Sequence, residues 1–339
     1  MALVVWRIGF SLRSGARGEL RLVVSGVWGL KVRVAGIREI GGAIELIDLP
    51  EPRPLADDEL LIEVEAAGVA NWDEIVRVGG WDVGRSPPMA LGVEAAGRVV
   101  AVGLAVTDWV PGDEVMAHPL PLRDQGAWAA RLIAPAALVA AKPRNVSWEV
   151  AAAFPVPALT AEQVLREALR LERGQLLLVH GAGGVTGGLM VALAVLRGAR
   201  VIATAGPSSH ERVRALGAHH VLDYHNDAWP EEAVEIADGA GVAAAANAVR
   251  GGAAVAIGTV ADGGRLATIT SDPPADQRGI AISTVYVRAD GAQLQTLARL
   301  LADGHLALTV ASLHRLPDAA HALEHVLAGH TGGAVVLTP

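Results

Sequence analysis

Leu176-Leu-Leu-Val-His180-Gly181-Ala-Gly-Gly184-Val-Thr-Gly187 is the stretch that decides the fold. A short apolar run enters a glycine-rich turn, and the turn opens a strongly apolar segment, Gly184–Arg197, that reads as a helix lying against a sheet. Glycines let a backbone approach a pyrophosphate closely. The following helix start offers unpaired N–H groups and the positive end of its dipole. Gly-x-x-Gly-x-x-Gly is a weak signal in a chain with 39 glycines. Its setting strengthens it: strand before, helix after, and a second strand, Arg200–Ala205, about twenty residues on. Gly181, Gly184, Val185, Thr186 and Gly187 are the candidate dinucleotide contacts.

Working outward, strand and helix patterns alternate after Pro155–Pro157 at the spacing of βαβ units. Ser208–Leu216 is a helix and His220–Asp223 a short strand. Val242–Asn247, Leu266–Thr270 and Ile282–Val287 continue the strand series. The expected class is α/β, with a doubly wound parallel sheet. Before Pro155 the elements are short strands and turns: Val32–Ile37, Ala43–Leu49, Glu59–Ala66, Gly97–Val102 and Glu114–Ala117. That half reads as a mostly antiparallel, partly open β-barrel. Gln293–Ala302 and Pro317–Ala328 are helical, and Ala334–Thr338 is a closing strand.

The end of the second strand selects the cofactor. A carboxylate there would hold ribose hydroxyls and repel a 2′-phosphate. Here the tip reads Thr204-Ala-Gly-Pro-Ser208-Ser209-His-Glu-Arg212, with Glu211 only later, inside the helix. Thr204, Ser208, Ser209 and Arg212 are candidate contacts, with hydroxyl and guanidinium donors suited to a phosphate, so NADP(H) is expected over NAD(H).

Composition narrows the remaining classes. The chain has 339 residues, 52% of them apolar, enough for two domains. A net charge of −8 argues against gripping nucleic acid. Lys31 and Lys142 are the only lysines, which reads as coding bias. There is no cysteine, so thiolate nucleophiles, disulfides and Cys-based zinc sites are excluded, and a reducing cytoplasm is the expected setting. No apolar run has the length of a membrane span. Residues 1–30, apolar at first and then dotted with Arg7, Arg13, Arg17 and Arg21, are expected to be an extension outside the catalytic fold. The alternative is an added strand or arm covering a partner subunit.

Six landmarks in order carry a family resemblance: Ala66-Ala-Gly-Val69-Ala-Asn71-Trp-Asp73, Leu91-Gly-Val-Glu94-Ala-Ala-Gly97, Val110-Pro-Gly-Asp-Glu-Val115, Ala151–Ala161, the glycine turn, and Ala215-Leu-Gly-Ala218. Over Lys31–Pro339 the chain resembles the medium-chain dehydrogenase/reductase superfamily, in its quinone oxidoreductase and enoyl reductase branch. The resemblance implies a GroES-like catalytic domain over 31–156 and 290–339, with a Rossmann NADP-binding domain over 157–289 inserted. It also implies a homodimer, paired through the last Rossmann strand near Ser283–Val287. Zinc-dependent relatives place Cys and His where this chain has Ala70 and Val93, so no metal is expected. Two departures weaken the 2′-phosphate assignment: Ser209 lies near a slot where many relatives have Lys, and Gly332-Gly333-Ala334 replaces an Arg-Gly-Lys.

By the same comparison several polar groups face the cleft. Asn71 is the expected hydrogen-bond donor to an acceptor carbonyl. Asp73 resembles a family acid or ties its loop to the barrel. Thr160, at a helix start, touches the nicotinamide or caps the helix. Asn247 and Tyr286 are expected cofactor contacts at strand ends. Trp72 and Trp81 flank the cleft and pack on a planar substrate or fill the core. His321 and His325, four apart on a helix, have ligand spacing without an evident third donor.

The expected function is NADPH-dependent, metal-free hydride transfer to a small-molecule quinone or enone (an α,β-unsaturated carbonyl). The alternatives are a biosynthetic enoyl reductase, a non-redox cyclase, or a catalytically silent NADPH-binding protein. Neither nucleic acid nor membrane is an expected partner.

Overall fold

The computed structural model describes residues 9–14, 20–25, 31–329 and 332–339. Within the first thirty residues, Gly9–Ser14 pairs antiparallel with Leu20–Ser25. The expectation of an extension or partner arm otherwise lies outside the described residues.

Six parallel strands form the nucleotide-type sheet, in the order His220–Asp223, Arg200–Ala205, Leu176–His180, Val242–Asn247, Val260–Thr268, Ala281–Thr284. The first strand in sequence is therefore central, flanked by the second on one side and the fourth on the other. That reversal is the topological switch point, where doubly wound sheets open a crevice at the strand C-termini. The run Leu177-Leu178-Val179 suits the position: all three are fully buried, because helices cover both faces of a parallel sheet. The helix Val185–Leu196 is buried from Gly187 to Ala194 for the same reason.

Seven strands make the second sheet, which includes both early and late parts of the chain. Glu59–Val69 is its hub. It pairs antiparallel with Ala95–Val102, with Arg131–Pro135 and with the final strand Ala334–Thr338, where Val69 faces Val335. A three-stranded sheet of Glu45–Pro50, Lys31–Ile37 and Met89–Ala90 completes this half. The two halves share a core: Ala66, Ala96 and Met116 pack in one cluster with Leu177, Val179 and Leu189.

Two details position the cleft. Helix Gly291–Ala302 is capped by the Asp290 carboxylate, which accepts from Gln293 N–H, and it buries Leu294, Leu297, Ala298 and Leu301. Gln163 then forms a reciprocal pair with Arg288: its amide donates to the Arg288 carbonyl at 2.8 Å and its oxygen accepts from Arg288 N–H at 2.9 Å. This fixes the segment leaving the last parallel strand against helix Pro155–Gln163.

Some boundaries differ from expectation. The second helix of the nucleotide half is a 3₁₀ turn, Pro207–Ser209, followed by His210–Ala215, because Pro207 fits a first turn. The last parallel strand is Ala281–Thr284, shorter than Ile282–Val287, and Tyr286 lies beyond its end.

Candidate functional site

The glycine turn is held from below by one hydroxyl. Gly181, at φ +91°, takes a conformation that disfavours a Cβ. Its N–H donates to Thr204 Oγ1 at 3.1 Å, and the next N–H, Ala182, donates to the Thr204 carbonyl at 2.9 Å. Thr204 Oγ1 also lies 2.7 Å from His180 Nδ1, and His180 stacks on Trp229 at 4.7 Å. Burial lowers the His180 imidazole to about 4, so it stays neutral. Thr204 is fully buried. Its hydroxyl and carbonyl position the turn.

A Cβ on Gly187 would overlap the Gly181 carbonyl oxygen, so the first turn of the helix sits directly against the glycine turn. Gly184 is different. It is exposed, caps the helix through its backbone with no side-chain cap, and a Cβ there would meet only Gly181 O, at 3.6 Å. Val185 and Thr186 begin the helix. The N–H groups of this first turn are thus open on the side an anion approaches, and the residues fit a dinucleotide pyrophosphate.

At the strand tip, Arg212 reaches back across the turn. Its Nη2 donates to the Gly183 carbonyl at 2.5 Å and to Ser209 Oγ at 3.3 Å. Ser208 is exposed and lies inside the turn Pro207–Ser209, whose N-cap is Gly206. The structure adds neighbours that sequence reasoning missed. His210 Nε2 lies 2.9 Å from the Ala205 carbonyl, and a Cβ on Gly206 would meet His225 and Tyr224 at 3.3 and 3.5 Å. Tyr224 and His225 follow the strand His220–Asp223, which lies beside the tip, so the parallel strand order is the signal that would have found them. The one acid on that neighbouring strand end, Asp223, is engaged with His225 at 2.7 Å.

Other candidates take different roles. Asn247 is fully buried and committed within the protein: its amide donates to Val249 O, Thr268 Oγ1 and Thr270 Oγ1, each at 3.0 Å. Its side chain ties strand ends together. Tyr286 is 69% exposed past its strand, so its ring does not line a closed cleft. Thr160 is in the body of helix Pro155–Gln163, not at its start, and its hydroxyl donates to the Val156 carbonyl at 2.7 Å. That bond takes the hydroxyl's proton and leaves its oxygen able to accept, and the position is that of a helix residue, not a cap.

On the barrel side, Asn71 begins helix Asn71–Arg77 and is exposed. Asp73 is fully buried and accepts from Ala70 N–H at 2.9 Å. Burial pushes its carboxyl up to about 7 against the pull of the Ala70 and Gly92 N–H groups. It closes the first turn of its helix, the loop-tying role. Beside it, Glu94 is buried, accepts from Val156 N–H at 2.8 Å, and is raised well above the usual range by burial and by the Asp73 charge. Glu94 thereby joins the barrel to the helix at Pro155, a link no sequence pattern announced.

His314 on strand Val310–Arg315 packs against both His321 and His325, with ring centroids 5.8 and 6.1 Å away. Among the described residues, no group of three or more His, Asp or Glu is arranged to hold a metal, and no helix is long and apolar enough to cross a membrane.

Comparison with known proteins follows this geometry. Residues 56–144 match a family model described as the alcohol dehydrogenase GroES-like domain, and residues 216–337 match one described as zinc-binding dehydrogenase. Zinc does not suit the donor set among the described residues: the chain has no cysteine, and no group of three or more His, Asp or Glu is arranged to hold a metal. A mycobacterial quinone oxidoreductase is 30% identical with a TM-score of 0.76, the match covering 91% of this chain and 100% of that one. A mycobacterial relative solved in complex with NADPH is 29% identical with a TM-score of 0.79, covering 91% and 100%. Pikromycin polyketide synthase component PikAII of Streptomyces venezuelae is 30% identical over 307 residues, 85% of this chain and 8% of the synthase. The chain spans less than half the length of the curated relatives it matches. With the strand order, the glycine turn and the split second sheet, these matches show that the chain belongs to the medium-chain dehydrogenase/reductase superfamily, alongside its quinone oxidoreductases.

Proposed function

We propose that the protein is an NADPH-dependent, metal-free reductase that transfers hydride to a quinone or an α,β-unsaturated carbonyl. The observation that carries this reading is Arg212, set across Gly183 and Ser209 at a strand tip without an acid. A guanidinium and hydroxyls there suit a 2′-phosphate. The NADPH-bound relative supports the same cofactor, and the quinone oxidoreductase supports the acceptor class. NADPH, when bound, supplies hydride from C4 of its nicotinamide.

The chain's own residues hold, orient and exclude. The start of helix Val185–Leu196 takes the pyrophosphate on its open N–H groups. The Gln163–Arg288 pair fixes the segment beside the nicotinamide end. A neutral donor from the segment 71–73 steadies the acceptor oxygen as charge develops on it. Water supplies the proton that completes reduction. We place the dimer contact at Ala281–Thr284, the edge strand of the parallel sheet.

The test is NADPH consumption against a quinone and an enone, with NADH run alongside. Turnover with NADPH and little with NADH is expected; no turnover with either sinks the reductase reading. Arg212→Ala should weaken NADPH binding by about tenfold and NADH binding by less than about twofold, since only the former has the extra phosphate. Equal losses for the two cofactors would remove Arg212 from the phosphate site.

A second reading rests on the similarity to PikAII: the same chemistry serving a biosynthetic pathway as an enoyl reductase. Turnover of thioester-linked enones in preference to quinones would favour it.

A further inference from the structure

The tip of the second parallel strand has an acid closer to it than its own sequence implies. Ala205, the last residue of that strand, stands in register with Asp223, the last residue of the neighbouring strand His220–Asp223. Residues in register on parallel strands face the same side of a sheet. The Ala205 Cβ lies 3.8 Å from where a Cβ on Gly183 would stand, so that side carries the glycine turn. A carboxylate therefore sits one strand over from the tip, on the side where a dinucleotide's adenosine ribose is held.

His225 covers this carboxylate. Its Nδ1 lies 2.7 Å from Asp223 Oδ1, and its backbone N–H donates to the same oxygen at 3.0 Å. A carboxylate only accepts, so Nδ1 carries a proton. The adjoining ring carbon, Cε1, lies 3.3 Å from where a Cβ on Gly206 would stand, and the Tyr224 hydroxyl lies 3.6 Å from the same point. The imidazole thus bridges the acid and the strand tip. On the other side of the tip, Arg212 reaches the Gly183 carbonyl and Ser209 Oγ. The N–H groups of His225 hold the Asp223 carboxyl below the usual range, so this acid keeps its charge at neutral pH. His210, with Nε2 2.9 Å from the Ala205 carbonyl, is the second imidazole whose charge Asp223 feels. Among the described residues, the ion-pair partner of Asp223 is His225.

We propose that His225 is a specificity-determining residue: it neutralises Asp223 and so lets the strand tip accept a 2′-phosphate. Without that imidazole the tip has the electrostatics of an NAD-type site, in which an acid repels the phosphate. The inference rests on the NADPH reading and names what makes the preference possible. Selectivity then comes from an acid that is present and covered, as well as from the missing acid on the second strand itself.

The experiment measures binding of NADPH and of NADH to the full chain by titration calorimetry. His225→Ala should weaken NADPH binding by about tenfold and NADH binding by less than about twofold, since only NADPH brings a phosphate to the uncovered carboxylate. Asp223→Asn should bind NADPH at least as tightly as the wild type. With Asp223→Asn already in place, adding His225→Ala should cost less than about twofold, because no charge is left to cover. His225→Arg keeps a cation on Asp223 and should hold NADPH binding within about threefold of the wild type. The two side chains are 57% and 33% exposed, so every variant should fold, and thermal melts check this. A tenfold loss that persists in the double variant overturns the proposal, since His225 would then act on the phosphate itself. Equal losses for NADPH and NADH also overturn it, as the mark of a merely structural role. In either case, tighter binding of NADPH than NADH by the wild type leaves the cofactor reading standing. Equal binding of the two by the wild type overturns that reading and this inference together.

Discussion

NADPH binding is expected to fall by about a hundredfold or more in Gly184→Asp, because a carboxylate near 5 Å from a pyrophosphate costs roughly 3 kcal/mol at an effective dielectric of about 20. The fold should be unaffected. A Cβ at Gly184 meets only the Gly181 carbonyl oxygen at 3.6 Å, and the residue is exposed, so the unfolding midpoint should move little. Gly184→Asn supplies the same shape without the charge and should lose much less affinity. Gly187→Ala is the contrasting case. Its methyl would overlap the Gly181 carbonyl and come within 3.0 Å of the Ala182 Cα, so stability should fall before affinity can be read. Titration calorimetry with NADPH, paired with thermal melts, separates the two. Tight binding by Gly184→Asp would move the pyrophosphate away from this turn.

The second large effect is one of pH. In Asp73→Asn, stability relative to the parent should grow by on the order of 2–4 kcal/mol between about pH 4 and pH 8. Asp73 is raised from 3.8 to about 7, so the folded state holds its proton more tightly than the unfolded chain. The stability this contributes is complete below the unfolded value and is lost as pH rises through about 7. An amide at this position has nothing to lose, and its oxygen can still accept from Ala70 N–H. His118 and His180 run the other way: both are depressed to about 4, so their contribution is present above the unfolded value near 6.5 and fades as pH falls. The variant should keep the histidines' rise from acid to neutral pH, opposed by Glu94, whose carboxyl burial also raises and whose contribution is lost as pH rises. Denaturant melts at several pH values measure this directly. A variant-minus-parent difference that stays flat would mean that Asp73 ionises normally.

The sequence was most legible where physics is local. An apolar strand running into a glycine turn and an apolar helix admits few interpretations, and the α/β class follows from it. The split second sheet was legible only through family resemblance, because Val69 and Val335 share no pattern that announces their pairing. Side-chain commitments were the least legible. Thr204, Asn247 and Thr160 have the right residue type at the right strand or helix, and each makes a hydrogen bond within the protein that the sequence does not announce. A hydroxyl or amide reads the same in sequence whether it faces a ligand or a carbonyl four residues away. His118 shows the converse. Nothing in its neighbourhood, Met116-Ala-His118-Pro, marks it, and only the fold puts its ring on the Val93 carbonyl and isolates the opposite nitrogen.

The closing of Glu59–Val69 by the final strand Ala334–Thr338 has a consequence for how the chain is made. A ribosome releases residues in order, and this hub strand emerges long before the partner that seals one of its edges. The parallel sheet between them needs no later residues for its own strand pairs, so it can assemble first, holding the early barrel strands near their eventual place. Until the last residues arrive, an apolar strand lies open to pairing with other chains. Slowing synthesis over the final fifty or so residues should lengthen that window and raise the share of aggregated product, by the topology of the fold and not by any weakness of its core.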